Sequence, residues 1–201
     1  MQFDKNHKYF SVIILAAGKS SRMGIPKLSL KYDIENSFIE HIVNDYQGFA
    51  CKEIVIVVNN TGNDYLNKSK IRFLDNVKIA INKHPDWHRF YSLKIGAKSL
   101  IDDLPVFIHN VDNPYISHEV LKDLIDHSDK ADYISPEFEG KGGHPILLSS
   151  KIINKVRSTQ EDQIHLKEFL NQFPKMKVQV KEEKVLVNIN SLDEYRRHFD
   201  Y

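Results

Sequence analysis

Six short apolar runs, at residues 9–15, 53–58, 77–81, 105–109, 146–148 and 185–187, restrict what this chain can fold into. Each is strand-length, and helix-like segments separate them, an alternation that predicts an α/β architecture. The expected fold is Rossmann-like (GT-A-like), with a mostly parallel twisted sheet and helices on both faces. Ser37 with Glu40 forms a capping box ahead of Ile39, Ile42 and Val43, which predicts the first crossover helix. A second helix is expected over about residues 92–100. A third opens at Ser117, where Val120, Leu121, Leu124 and Ile125 share one face. Ser191 with Glu194 repeats the box near the C-terminus, and the mixture of charges and valines at residues 177–184 predicts a solvated hairpin. With no repeat and no linker in 201 residues, a single domain over 1–201 is expected.

Composition narrows the function classes. Apolar residues at 41% and charged residues at 27% describe a soluble globular balance. A formal charge of +1, from 28 basic and 27 acidic residues, gives no whole-surface attraction to nucleic acid or anionic lipid, so any phosphate binding has to be local. The apolar run at 12–17 is too short to span a membrane, and residues 1–9 lack a secretory cleavage pattern. A cytoplasmic protein with no membrane or nucleic-acid partner is expected, as a monomer or homodimer. Cys51, the only cysteine, excludes an internal disulfide or thiolate cluster and reads as a buried or edge thiol. His84, His88, His109 and His165 lack metal-ligand spacing and read as structural.

In open α/β sheets the ligand lies beyond the carboxyl ends of the strands. The loops to examine are therefore 16–27, 109–114 and 188–191. The first follows Leu15 and reads Ala16, Ala17, Gly18, Lys19, Ser20, Ser21, Arg22, Met23, Gly24, Ile25, Pro26, Lys27. Small residues let backbone approach a nucleotide closely, and successive N–H groups in a glycine-bearing turn bind phosphate oxygens. Arg22 offers a bidentate guanidinium and Lys27 a compact point charge, a pair suited to a polyphosphate whose charge shifts during transfer. The loop matches neither G-x-x-x-x-G-K-[ST] nor G-x-G-x-x-G, which excludes a P-loop and a dinucleotide fingerprint.

The complete string resembles L-A-[AG]-G-x-[SG]-x-R-M-G-x-x-K of the MobA-like NTP transferases. That resemblance implies a Mg²⁺-dependent nucleotidyltransferase (EC 2.7.7 type). Leu15, Ala16, Ala17 and Gly18 would cradle the nucleotide, Arg22 would contact the triphosphate, and Lys27 would stabilise the reacting phosphates. Ala17 in place of glycine is similar to the molybdenum cofactor cytidylyltransferase branch, which implies CTP as donor. Asp112, Asn113 and Pro114 align with the family's G-D-x-P, with Val111 replacing glycine, and imply Asp112 as the Mg²⁺ ligand. Residues 188–194 resemble [DN]-[IV]-[DN]-[ST]-x-x-[DE], which puts Asn190 at a second metal contact. Aspartate is usual there in the cytidylyl branch and asparagine in the guanylyl and uridylyl ones, so Asn190 pulls against Ala17.

Ser92, Leu93 and Gly96 resemble S-[LI]-x-x-G, where the serine lies near base and ribose. Residues 142–146 resemble the acceptor-lining G-[HN]-P-[VI], and there His144 reads as a general base, a phosphate donor or a turn residue, the second being favoured because no base partner is evident. Where the cytidylyl branch carries G-D-x-G-A-R, this chain retains only Asp162, a candidate acceptor or metal contact. The implied reaction moves an NMP from an NTP, CTP favoured, to a phosphorylated acceptor such as molybdopterin and releases pyrophosphate. The alternatives are a sugar-phosphate nucleotidyltransferase and a nucleotide-binding regulator of the same fold that has lost turnover, the latter motivated by the altered 161–166 segment and the neutral Asn190.

Overall fold

The computed structural model describes residues 9–49, 51–69 and 71–199; the reading of the first eight residues lies outside these. Its strands are β1 (Ser11–Ala16), β2 (Ile54–Val58), β3 (Val77–Ile81), β4 (Val106–Asn110), β5 (Tyr133–Phe138), β6 (Lys141–Gly142), β7 (Ile146–Leu148) and β8 (Lys175–Gln179). Its helices are α1 (Phe38–Gly48), α2 (Asn60–Ser69), α3 (Arg89–Ser99), α4 (His118–Asp126), α5 (Ser150–Ser158), α6 (Leu166–Leu170) and α7 (Leu192–His198).

The strands form one sheet in the order β3-β2-β1-β4-β7-β5-β6, with β8 paired to β5. β3, β2, β1 and β4 run parallel, while β7 is antiparallel to both β4 and β5. The central strands β1, β2 and β4 are buried along their whole length because both faces are covered. Alternation along β1 sends Val12, Ile14 and Ala16 into one core and Ile13 and Leu15 into the other. The first core takes side chains from α1 and α4, and the second from α3, α5 and α6. α3 approaches the sheet through Gly96, where a Cβ would lie 2.6 Å from Ile13 Cγ2. Both capping boxes, Ser37 with Glu40 and Ser191 with Glu194, form as expected.

Several elements differ from the sequence expectation, each for a physical reason. Residues 185–187 are not a strand: Glu183–Leu186 is a 3₁₀ turn that buries Val185. Residues 177–184 are not a hairpin, because β8 lies parallel along β5 over Lys175–Gln179. β5 is obscured by Pro136, which normally argues against a strand interior. Here Pro136 falls between the residues that pair with β7 and those that pair with β6, and its carbonyl accepts from Gly143 N–H at 2.8 Å. α2 shows no apolar stripe, burying only Gly62 and Leu66, and α3 begins three residues before the expected Ser92, at Arg89. α5 carries an overlooked cue, Ser149, whose side chain accepts from Ile152 N–H.

Candidate active site

β1 is flanked by β2 and β4, so the chain leaves its carboxyl end at a topological switch point. The loop that follows turns through Ser20 at φ 50° and Gly24 at φ 71°, with Met23 N–H donating to Ser20 O at 2.9 Å. Asn59, just after β2, donates from Nδ2 to Ala17 O and to Gly18 O, each at 3.2 Å. In a trans peptide the N–H points opposite the C=O. The Gly18 and Lys19 amides are therefore turned away from Asn59, and both residues line a cavity of about 920 Å³. A Cβ on Gly18 would meet nothing within 4 Å, leaving its backbone bare toward incoming atoms. Arg22 lines the same cavity and is exposed; Lys19 is paired with Asp86 across its mouth.

Three loops far apart in sequence meet at Lys27. Its ammonium donates to Asn190 Oδ1 at 2.8 Å and to Asp112 Oδ2 at 3.2 Å. Backbone bonds hold the two carbonyl-bearing residues in place: Ile189 N–H donates to Asp112 O at 2.6 Å, and Asn190 N–H to Glu194 Oε2 at 2.6 Å. The fully buried Asn113 donates to Val187 O at 2.6 Å and so locks the C-terminal loop against the Asp112 turn. The other carboxylate oxygen, Asp112 Oδ1, is buried without a hydrogen-bond partner. A buried carboxylate oxygen left in that state is costly unless a cation meets it. Asn190 Oδ1 meets the same ammonium, so the two side chains together offer hard oxygen donors of the kind that would suit Mg²⁺. Among the described residues no three His, Cys, Asp or Glu cluster to hold a metal by themselves.

Ser92 lines the cavity from inside α3 rather than capping it. The buried Asn82 donates to Ser92 Oγ at 2.9 Å, which leaves the serine hydrogen free to point at a ligand. His144 also lines the cavity; the approach of Asn110 Nδ2 at 3.2 Å to Nε2 orients its ring. Burial first, then the charge of Arg89, lowers the His144 pKa below the ordinary histidine value, so the ring is neutral at pH 7. Gly143 permits this placement, since a Cβ there would lie 2.6 Å from Val185 O.

Asp162 does not join the others. It pairs at 2.5 Å with the ammonium of Lys94, a buried residue of α3, and it is not among the residues that line the cavity. Its place is that of a counter-ion anchoring the segment before α6. His109 is structural, its ring 3.0 Å from the Tyr46 hydroxyl and 2.7 Å from Asn113 O. His84 stacks on Trp87. His88 and His165 instead line the cavity, their rings 4.3 Å apart. Sequence reasoning also missed Arg89, 4.0 Å from Asp112 Oδ2, and Lys175, which reaches the cavity from β8. Neither position carries a local signal; only the packing of α3 and β8 brings them in.

Residues 12–178 match the family described as the MobA-like NTP transferase domain. A probable molybdenum cofactor guanylyltransferase of Clostridium perfringens (strain SM101 / Type A) is 25% identical over 197 residues, covering 92% of this chain and 93% of that protein. The 2-C-methyl-D-erythritol 4-phosphate cytidylyltransferase of Alkaliphilus oremlandii is 29% identical over 118 residues, 57% of this chain and half of that relative's length. Among solved structures, Rv0371c of Mycobacterium tuberculosis H37Rv superposes with a TM-score of 0.78 at 17% identity, covering 96% of this chain and all of that one. Its complex with manganese gives 0.77 at 14% identity, over 98% and 100% of the two chains. At these identities the structural likeness speaks for the fold.

Proposed function

The chain belongs to the MobA-like NTP transferase family, and from that premise we propose that it moves an NMP from an NTP to a phosphorylated small-molecule acceptor and releases pyrophosphate. The observation that carries this reading is the convergence of Lys27, Asp112 and Asn190 on the cavity lined by the glycine-bearing loop.

In this reading the Gly18 and Lys19 amides and Arg22 hold the triphosphate, and the Ser92 hydroxyl meets the base or ribose. The acceptor phosphate is already anionic at neutral pH, so its oxygen attacks the α-phosphorus in line without a general base. The bond to the β-phosphate oxygen breaks, and pyrophosphate leaves with the electron pair. Lys27, within reach of the reacting phosphates once it leaves Asp112, neutralises the charge that develops there. His144, neutral and tethered to Asn110, serves as a hydrogen-bond donor to the acceptor rather than as a cation. Asp112 and Asn190 would hold Mg²⁺, which when bound supplies positive charge to the phosphates.

CTP is the donor favoured by Ala17. Asn190 and the guanylyltransferase relative favour GTP instead, and molybdopterin is the acceptor to try first. The deciding experiment is pyrophosphate release from each of the four NTPs with Mg²⁺, against molybdopterin and a series of phosphorylated small molecules. Release with CTP or GTP and one acceptor, abolished in Lys27→Ala, supports the reading. Absence of NTP binding in calorimetry, or turnover unaffected by Lys27→Ala, overturns it.

A further inference from the structure

The cavity extends well beyond the phosphate-binding loop. β5 and β8 lie three and four strands from β1 in the sheet, roughly 14 and 19 Å away at the usual strand spacing. Tyr133 of β5 and Lys175 of β8 are register partners and both line the cavity, with the Lys175 ammonium 4.5 Å from the Tyr133 ring centroid. Lys167 lines it from α6, and Ile146, Leu166 and Leu170 add apolar lining, with His144 near enough to Lys175 to feel its charge.

Charge at the far end is unbalanced. Among the described residues lining the cavity the carboxylates are Asp86, which pairs with Lys19, and Asp112, which pairs with Lys27. Glu137, outside the cavity lining, lies close enough to feel Lys175, but Lys177 and Gln179 hold its carboxylate. In the proposed reaction the triphosphate is served by Arg22 and Lys27, Arg89 lies at the same end, 4.0 Å from Asp112 Oδ2, and the attacking phosphate has to come within about 3.5 Å of the α-phosphorus. Both anions therefore belong at the Asp112 end. Lys175 and Lys167 are left for something else.

Resting on the nucleotidyltransferase reading, we propose that the acceptor carries a second anionic group, a phosphate or carboxylate, joined to its reacting phosphate through an apolar midsection. Lys175 and Lys167 bind that second group beside the Tyr133 ring, while Ile146, Leu166 and Leu170 cover the midsection. The acceptor thus spans the cavity with an anion at each end.

The test uses the full chain with Mg²⁺ and a non-hydrolysable NTP analogue, whose binding is measured first by calorimetry. Inorganic phosphate and, separately, acetate are then titrated into the saturated protein. Binding of either anion that weakens about tenfold in Lys175→Gln and in Lys167→Gln, and is unchanged in Lys181→Gln on the exposed surface, supports the proposal. The tighter of the two anions identifies the group. No anion binding, or binding that neither cavity variant weakens, overturns it. The analogue's affinity, measured in each variant, reports that the fold is retained. A protein that takes no NTP analogue fails the nucleotidyltransferase reading at the first step; the anions are then titrated into the free protein, where the same comparison of variants decides the subsite.

Discussion

Lys27 Nζ lies 3.2 Å from Asp112 Oδ2, so the residue assigned to the phosphates holds the residue assigned to the metal. Both side chains are mostly buried, at 14% and 12% exposure, which shields the pair from solvent screening. An ammonium and a divalent cation cannot both sit at full strength against one carboxylate. Lys27→Met should therefore tighten Mn²⁺ binding to the nucleotide-free protein by about fivefold, read by electron paramagnetic resonance. The same substitution should slow pyrophosphate release by roughly 100-fold or more, because a charge aimed at the reacting phosphates is gone. Unchanged or weaker Mn²⁺ binding would show that Lys27 does not compete for the site.

Asp162 is expected to behave as a structural counter-ion. Asp162→Asn leaves the buried Lys94 ammonium without its carboxylate, and the cost should be about 1–2 kcal/mol, reduced from the fully buried case because the Asp162 side chain is 36% exposed. Lys94→Met combined with Asp162→Asn should recover part of that loss in urea unfolding. An acceptor KM that rises sharply in Asp162→Asn with no loss of stability would instead make Asp162 a ligand.

His109 makes stability depend on pH. Burial pushes its pKa from the ordinary 6.5 down to about 4. Between those values the unfolded chain binds a proton that the native state refuses, so the native state loses stability as pH falls through this window. Nothing is lost above about pH 6.5, and the loss reaches about 3 kcal/mol by pH 4. His41 and His144 are lowered in the same direction, so the His109 share is isolated by comparing urea midpoints at pH 7.5, 5.5 and 4.5 with those of His109→Gln. Equal slopes in the two proteins would remove His109 from this role.

Cys51 should be chemically silent in the native state. It is 7% exposed, and burial raises its thiol pKa to about 12. At pH 8 its reaction with a disulfide reagent should be slower than that of an exposed thiol by about a hundredfold or more. Unfolding in urea should release one reactive thiol per chain, the single cysteine of the sequence. Rapid labelling without denaturant would contradict the burial.

What the sequence determined by itself was whatever short-range physics writes into neighbouring residues. β1, β2 and β4 could be read because buried parallel strands need apolar, β-branched runs, and β3 because this edge strand keeps the same β-branched residues while part of it is exposed. α1, α4 and α7 could be read because capping residues and apolar spacing are local. The string Leu15 to Lys27 announced its loop for the same reason: small residues, two glycines and three cations follow one another along the chain. Asp112, Asn190, Ser92 and His144 were also identified from motifs, and the tertiary structure gathers all four around one cavity.

Only the tertiary structure decided the rest, because those features depend on partners distant in sequence. β5 tolerates Pro136 because it falls in the gap between β7 and β6 on one edge, and β8 exists because Tyr133 to Glu137 offer it a parallel edge on the other. Asp162 left the site when Lys94, 68 residues away, required a counter-ion. Arg89, Lys175 and Tyr133 entered it through the packing of α3 and the order of the strands. Most decisive is the contact of Lys27 with Asp112 and Asn190, 85 and 163 residues away. Each of the three is legible in its own loop. That one ammonium touches both oxygen-bearing side chains follows only from where the sheet brings its loops together.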